Sequence, residues 1–269
     1  MPKPKKGKPK GVLNPNEGKH HFDFSRFFPP EDLQYFLEHF WIVEWDLGKD
    51  YYEQGVLSYP SVHLAFERGK TMIYGVVTGK FSRRIEGAGK VLGIKFRPGG
   101  FYPFYRCSVA SFSDSTIPID EVFDVDAEAL EDQVLRARDN ELMVERAVEF
   151  IRTHLPEKDE RVQQVNEIVN AVIDDSSLIR VGQLTEQFDI GERSLQRLFR
   201  KYVGVSPKWV IKRYRLHEVA GRLVENGEVD WSELALELGY YDQAHFIRDF
   251  KSIVGQTPTE YARSLHSSD

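Results

Sequence analysis

Residues 197–207 read Arg197-Leu198-Phe199-Arg200-Lys201-Tyr202-Val203-Gly204-Val205-Ser206-Pro207. Residues 248–258 read Arg248-Asp249-Phe250-Lys251-Ser252-Ile253-Val254-Gly255-Gln256-Thr257-Pro258, 51 residues further on. Both obey R-x-F-[RK]-x-x-V-G-x-[ST]-P. Upstream, Leu184, Phe188 and Ile190 recur as Leu234, Leu238 and Tyr240 with the same mutual spacing, and the second copy then carries one extra residue in its turn. Self-similarity of this kind marks a tandem of one supersecondary unit. In each unit a short helix (181–188; 231–238) meets a turn (Asp189-Ile190-Gly191; Gly239-Tyr240-Tyr241), and a second helix follows (192–202; 242–253). Gly204 and Gly255 close the second helices, as glycine in a left-handed conformation commonly does. Ser206-Pro207 and Thr257-Pro258 restart the chain as an N-cap followed by proline at the first helical position. Two helices joined by a tight turn make a helix-turn-helix.

The first of these second helices has two sides. Leu195, Leu198, Phe199 and Tyr202 fall at i, i+3, i+4, i+7 and form a face to bury. Arg193, Gln196, Arg197 and Arg200 fall at the same spacing on another face. A solvated helix surface more often mixes signs at i, i+4, whereas the one acid here, Glu192, stands at the helix start. Arginine reads guanine O6 and N7 bidentately and glutamine reads adenine N6 and N7, so this face suits a major groove. In the second unit Gln243, Ala244, His245 and Arg248 are the base-reading candidates, with Asp249 expected to point aside or pair with a neighbour. Between the units, Pro207 to about Asn226 reads as one helix ending at Gly227. Twenty residues rise about 30 Å, close to the roughly 34 Å between successive major-groove faces. Lys201, Lys208, Lys212, Arg213 and Lys251 are the phosphate candidates, with Arg215 nearby.

Upstream of residue 160 the pattern changes. From about 36 to 105 apolar residues alternate: Trp41, Val43, Trp45; Val62, Leu64, Phe66; Met72, Tyr74, Val76; Ile94, Phe96. Gly69-Lys70, Gly79-Lys80, Gly87-Ala88-Gly89 and Pro98-Gly99-Gly100 read as the turns between strands. Residues 126–139 and 141–155 then read as two helices, ended by Pro156. The chain is therefore α+β: a β-rich, barrel- or sandwich-like N-terminal domain over 21–156, then an all-α domain over 160–269. The latter holds helix-turn-helix units at about 181–203 and 231–254, joined by a long helix. Residues 1–20, rich in Lys, Pro and Gly, are expected to form a disordered basic tail without the apolar core of a secretory signal.

Composition bounds the function. The chain has 269 residues, which at about 150 per domain suggests two domains. A single cysteine, Cys107, excludes an intrachain disulfide framework and any multi-Cys zinc site, and suits a reducing cytoplasm. The net charge of −6 argues at first against nucleic acid. It averages +5 over residues 1–20, −8 over 21–159 and −3 over 160–269. Residues 193–215 nevertheless carry eight Lys and Arg and no acid.

In these motifs the C-terminal part resembles the AraC/XylS family of bacterial transcription regulators. The resemblance rests on Leu195-Gln196-Arg197-Leu198-Phe199-Arg200-Lys201 with Gly204 and Ser206-Pro207, on Arg213-Tyr214-Arg215-Leu216, and on Glu233-Leu234-Ala235 with Gly239-Tyr240. Asp242-Gln243-Ala244-His245-Phe246, Arg248-Asp249-Phe250-Lys251 and Gly255-Gln256-Thr257-Pro258 complete it, and it covers about residues 160–265. Thr185, Asp189 and Gly191 depart from the family pattern, where Ala, Gly and a capping Ser are usual. The resemblance implies sequence-specific binding of double-stranded DNA, transcription control, and an N-terminal domain for effector sensing, dimerisation or both. RNA polymerase would be a further partner of an activator. The stretches Tyr74-Gly75-Val76-Val77 and Gly93 to Phe101 are similar to sensor domains of some such regulators, with no ligand implied.

No catalytic or cofactor site is assigned. His63 and Glu67 stand four residues apart on a strand, about 13 Å, too far to share an ion. The alternative to a regulator is a metal- or thiol-dependent N-terminal enzyme or redox sensor, with Cys107 beside Arg106 as its reactive group, carrying a DNA-targeting module. Trp41, Trp45, His63, Tyr74 and Arg97 are candidates to line an effector pocket, where aromatic walls with few polar groups are usual. Core packing is the other reading of the same aromatics.

Overall fold

The computed structural model describes residues 11–226 and 231–266. The elements in order are α1 (Pro15–Gly18), β1 (Asp23–Phe27), β2 (Leu37–Val56), β3 (His63–Glu67), β4 (Met72–Tyr74), β5 (Phe81–Phe96), α2 (Tyr102–Tyr105) and β6 (Thr116–Pro118). Helices follow: α3 (Ala127–Leu135), α4 (Asn140–Thr153), α5 (Glu160–Asp174), α6 (Val181–Gln187), α7 (Glu192–Tyr202), α8 (Pro207–Asn226), α9 (Trp231–Glu237), α10 (Gln243–Val254) and α11 (Pro258–His266). The strands form one antiparallel sheet in the order β1-β2-β5-β3-β4-β6. The sheet is open, without the closure of a barrel or the second sheet of a sandwich among the described residues.

Side chains alternate across a sheet, and here both faces are covered. Phe40, Ile42, Leu64, Phe66, Leu92, Ile94 and Phe96 point to one face. They pack with Val134, Met143, Ala147, Phe150 and Ile151 of α3 and α4 in one fully enclosed core. Each fully buried side chain of this size is worth about 1.5–3 kcal/mol relative to exposure. Trp41, Val43, Trp45, Val91, Lys95, His63, Ala65 and Tyr74 point to the other face and line a cavity.

Glycine shapes that second face. The expected turn at Gly87-Ala88-Gly89 lies inside β5. There the pairing with β2 shifts register between Asp46 and Tyr51, and Gly87 takes a φ of +60°. The ribbon bends at this irregularity and carries Gln54, Val56, Phe81 and Arg83 back to line the same cavity. Gly89 and Gly93 lie under indole rings. A Cβ at Gly93 would sit 1.9 Å from Trp41 Cε2, and one at Gly89 would sit 2.4 Å from Trp45 Cζ2.

The helical units match the sequence reading. Gly204 (φ +95°) and Gly255 (φ +90°) are left-handed after α7 and α10, and Asp189 (φ +45°) is left-handed in the first turn. Each unit has its own core. Leu184, Leu195, Leu198, Phe199 and Tyr202 pack with α5 and the first half of α8, and Val76 of the sheet domain joins them. Leu234, Phe246, Phe250 and Tyr261 pack with Leu216, Val219 and Leu223 from the second half of α8.

The tail expected over 1–20 is packed from Gly11 onward; residues 1–10 and Gly227 lie outside the described residues. Val12 bridges Val56, Leu13 donates its N–H to Gly55 O at 3.0 Å, and the Leu13 side chain is buried in the core of the second unit. One buried leucine and the open edge beside Val56 hold the segment in place despite its polar composition.

The glycine floor gives a stability prediction. Gly93→Ala should cost about 1–3 kcal/mol through overpacking against Trp41, read by urea unfolding, with a change in tryptophan emission. Wild-type values for both would show that the ring has room to move.

Candidate nucleic-acid interface and sheet cavity

The face of α7 that carries Arg193, Gln196, Arg197 and Arg200 is exposed along its length, while Leu195, Leu198, Phe199 and Tyr202 are buried. Gln196 Nε2 donates to Glu192 Oε1 at 2.9 Å, which holds the amide along the helix. Ser108 of the sheet domain borders the same face and donates its hydroxyl to Arg200 O at 3.3 Å. Lys201 is exposed, its ammonium 4.9 Å from the Tyr102 ring centre. Lys208 is exposed near the start of α8.

In the second unit Gln243, Ala244, Arg248 and Lys251 are exposed and His245 is half-buried. Asp242 caps α10 by accepting from the His245 N–H at 2.7 Å. Asp249, the acid that would repel phosphate, is held by Lys212 Nζ at 2.6 Å. Lys212 is thereby engaged in tying α10 to the connector helix.

Two cations of the acid-free segment are buried, and for these the phosphate reading is corrected. Arg213 is 1% exposed. It donates Nη2 to Thr78 O at 2.7 Å, lies over the Trp209 ring at 4.4 Å, and leaves Nε and Nη1 without partners. Burial pushes its pKa down to about 10, so it remains a cation at neutral pH. Arg215 is 3% exposed. It donates to Val172 O and to Asp175 O at the end of α5 and pairs with Glu218 at 2.8 Å. Positive charge suits a helix C-terminus, so Arg215 clamps α5 to α8. Charge counting registered these side chains; their positions on α8, facing the sheet domain and α5, decide their fate.

The second site is the cavity, about 880 Å³. All five effector candidates, Trp41, Trp45, His63, Tyr74 and Arg97, border it. Sequence reasoning missed its other walls. Tyr214 and His217 of α8 and Val169 and Ile173 of α5 enclose it from the helical side, and Arg26 of β1 enters from the edge. At its polar end a register shift between Leu37 and His39 lets neighbouring Glu38 and His39 both reach the cavity. Lys95 pairs with Glu38 at 2.9 Å and stands 3.8 Å over the Tyr59 ring. Tyr59 in turn stacks on His217 at 3.8 Å, so one column of groups links the sheet to α8. His39 and Lys95 hold Glu38 ionised well below the usual carboxylate range, against the opposing effect of burial.

The histidines here are neutral. Trp41 Nε1 donates to His63 Nδ1 at 3.2 Å, and His217 Nε2 meets Ser58 O at 3.2 Å. Burial pushes both pKa values down to about 3, and what surface His63 exposes faces the cavity. Among the described residues no three His, Cys, Asp or Glu side chains gather to hold a metal. Cys107 is exposed, and among the described residues no helix is long and apolar enough to cross a membrane.

Residues 184–264 match a family described as a helix-turn-helix domain, and residues 25–118 match a family described as a domain of unknown function, DUF6597. An uncharacterised HTH-type transcriptional regulator of Haemophilus influenzae is 29% identical over 85 residues, covering 32% of this chain and 28% of that protein. The XylDLEGF operon transcriptional activator 1 of Pseudomonas putida is 31% identical over 87 residues, covering 32% of this chain and 26% of that protein. The likeness thus spans under a third of these relatives. Unsaturated fatty acid bound ToxT from Vibrio cholerae aligns over 98% of both chains at 13% identity, with a TM-score of 0.38.

The neutral histidines set a pH dependence. A folded pKa near 3 against an unfolded value of about 6.5 means that acid protonates the unfolded chain first. The stability these groups contribute is complete above about pH 6.5 and is lost as pH falls towards 3. Each such histidine adds up to about 1.4 kcal/mol per pH unit to the slope. His217→Asn should remove one such increment between pH 6.5 and 4.5, measured by chemical denaturation. An unchanged slope would place the His217 proton in both states alike.

Proposed function

We propose that this chain, a regulator of the AraC/XylS family with an N-terminal β-rich domain, binds double-stranded DNA by laying α7 and α10 in adjacent major grooves. The observation that carries the reading is the face of α7, where three arginines and a glutamine stand exposed behind a fully buried apolar stripe. Arg193, Gln196, Arg197 and Arg200 read base edges, with Gln243, Ala244, His245 and Arg248 as the weaker second set. Lys201, Lys208 and Lys251 meet phosphates. The 20 residues of α8, about 30 Å of helix, support the groove spacing. The protein acts in the cytoplasm, where its DNA is.

The cavity is the seat of a small-molecule effector. Its walls come from the sheet and from α5 and α8 together, so an occupant would touch the helix on which both units are built. Such a ligand modulates DNA binding only if its affinity differs between the two arrangements of α8. Activation, which the name of the Pseudomonas relative states of that protein, would add RNA polymerase as a partner.

Arg197→Ala should cost about 1–3 kcal/mol in specific binding and relax preference at one base position. Binding-site selection on the purified variant reads this, and an unchanged profile removes Arg197 from base readout. Lys208→Ala should weaken all sequences alike and reduce the salt slope by about 1, whereas Arg213→Met, which alters a buried group, should leave that slope intact. A reduced slope for Arg213→Met would return Arg213 to the phosphate set.

A further inference from the structure

Among the described residues two cations that border the cavity, Arg26 and Arg97, have no ion pair; Arg97 gives its Nε to Gln34 O at 2.7 Å. Arg26 lies on β1 opposite Trp41 in register and reaches the cavity from the sheet edge. Its Nε is buried without a partner, and no ion pair engages it among the described residues. Burial lowers its pKa, against the opposing field of nearby Glu38, which is itself paired with Lys95. A buried charge left unpaired is costly. Three of the carboxylates that line the same cavity are engaged elsewhere, Glu38 by Lys95, Glu67 by Arg83 and Glu218 by Arg215, and the fourth, Asp174, stands exposed at the end of α5. Ser61 Oγ, also lining the cavity, is buried without a partner.

The opposite requirement comes from the floor. Trp41 and Trp45 lie across Gly93 and Gly89, whose missing side chains leave room for the rings. The indole edges are fixed, Trp41 Nε1 to His63 and Trp45 Nε1 to Glu86 O. A flat apolar group stacks on such a floor. The volume, about 880 Å³, is within the range of small-ligand sites.

We propose that the cavity binds a small organic carboxylate with a flat apolar body, the carboxylate received by Arg26 and the body laid on the Trp41–Trp45 floor. The inference rests on the reading of this cavity as the effector site and names the class of effector. A guanidinium takes a carboxylate through two parallel hydrogen bonds. A polyanion would meet Glu38, Glu67 and Glu218 in the same walls. A cationic ligand would find Glu38, Glu67 and Glu218 already occupied and only Asp174, exposed at the end of α5, without an ion pair, and a polyol would leave most of its hydroxyls facing aromatic rings.

The test uses isosteric acid and amide pairs on the full chain: cinnamate against cinnamamide, and phenylacetate against phenylacetamide, by titration calorimetry. The acids should bind at least tenfold more tightly than their amides. Arg26→Gln should erase that difference; Arg26→Lys should keep part of it. Equal affinity of acid and amide in the wild-type chain overturns the proposal, as does a preference that survives Arg26→Gln or the absence of binding by every probe at millimolar concentration. The wild-type comparison decides the matter even if the Arg26 variants fold poorly. If the carboxylate class fails while a small-molecule cell extract still shifts the protein's affinity for its DNA, the effector reading stands without it. If neither responds, both fall.

Discussion

The structure turns on the seating of α8. This helix is shared by three bodies of packed side chains: its first half completes the core of the first helix-turn-helix unit, its second half completes that of the second, and its flank closes the cavity over the sheet. What fixes it there is mostly polar. Arg213 reaches the Thr78 carbonyl, His217 meets the Ser58 carbonyl and stacks on Tyr59, and Arg215 binds the carbonyls at the end of α5. Apolar burial alone would let the helix slide. Buried hydrogen bonds with defined partners allow one register, since a shift strands a buried guanidinium at a large cost. Arg213 already leaves Nε and Nη1 without partners, so the Thr78 carbonyl is its one hydrogen-bond acceptor among the described residues.

The sheet explains why such a junction exists. One face is closed by α3 and α4 in a conventional dry core. The other face has indoles, small residues and a polar row of His39, Lys95 and His63, and it cannot close on itself because the bend at Gly87 carries the outer ribbon over a void. The helical domain completes that face. A ligand there would replace neither core, and would meet the contacts that hold α8. The N-terminal strap acts on the same joint, since Leu13 is paired to the sheet by its backbone and buried in the second unit by its side chain.

Much of this was legible in the sequence, and the misses share a cause. Periodicity exposed the two faces of α7, and the repeat located Gly204 and Gly255, because local backbone geometry dictates residue type at those places. Alternation found the strands, and of the aromatic residues on them Trp41, Trp45 and Tyr74 border one cavity while Phe66 and Phe96 fill the core on the other face. Gly87-Ala88-Gly89 misled because glycine marks a departure from regular backbone without telling a turn from a kink in a long strand. Glu38 and Arg26 were invisible as cavity residues: a register shift turns the first inward, and the second stands on a short strand with little alternation. Arg213 and Arg215 were misassigned since their surroundings are set by residues more than a hundred positions away in one case and about forty in the other.

That misassignment changes the electrostatic picture of DNA binding. Eight cations and no acids over 193–215 suggest a strongly basic surface. In the fold Arg213 and Arg215 are internal and Lys212 is spent on Asp249, which leaves Arg193, Arg197, Arg200, Lys201 and Lys208 free for nucleic acid. Three of those five lie on the face of α7 proposed to read bases. Non-specific affinity scales with the number of phosphates neutralised, so a chain of net charge −6 with so few phosphate-directed cations gains little from the backbone alone. On the proposed reading, discrimination between sites rests on the α7 side chains and on how firmly α8 holds the two units at one spacing. The same buried arginines that are lost to the DNA surface supply that firmness, so the protein exchanges general attraction for a fixed geometry.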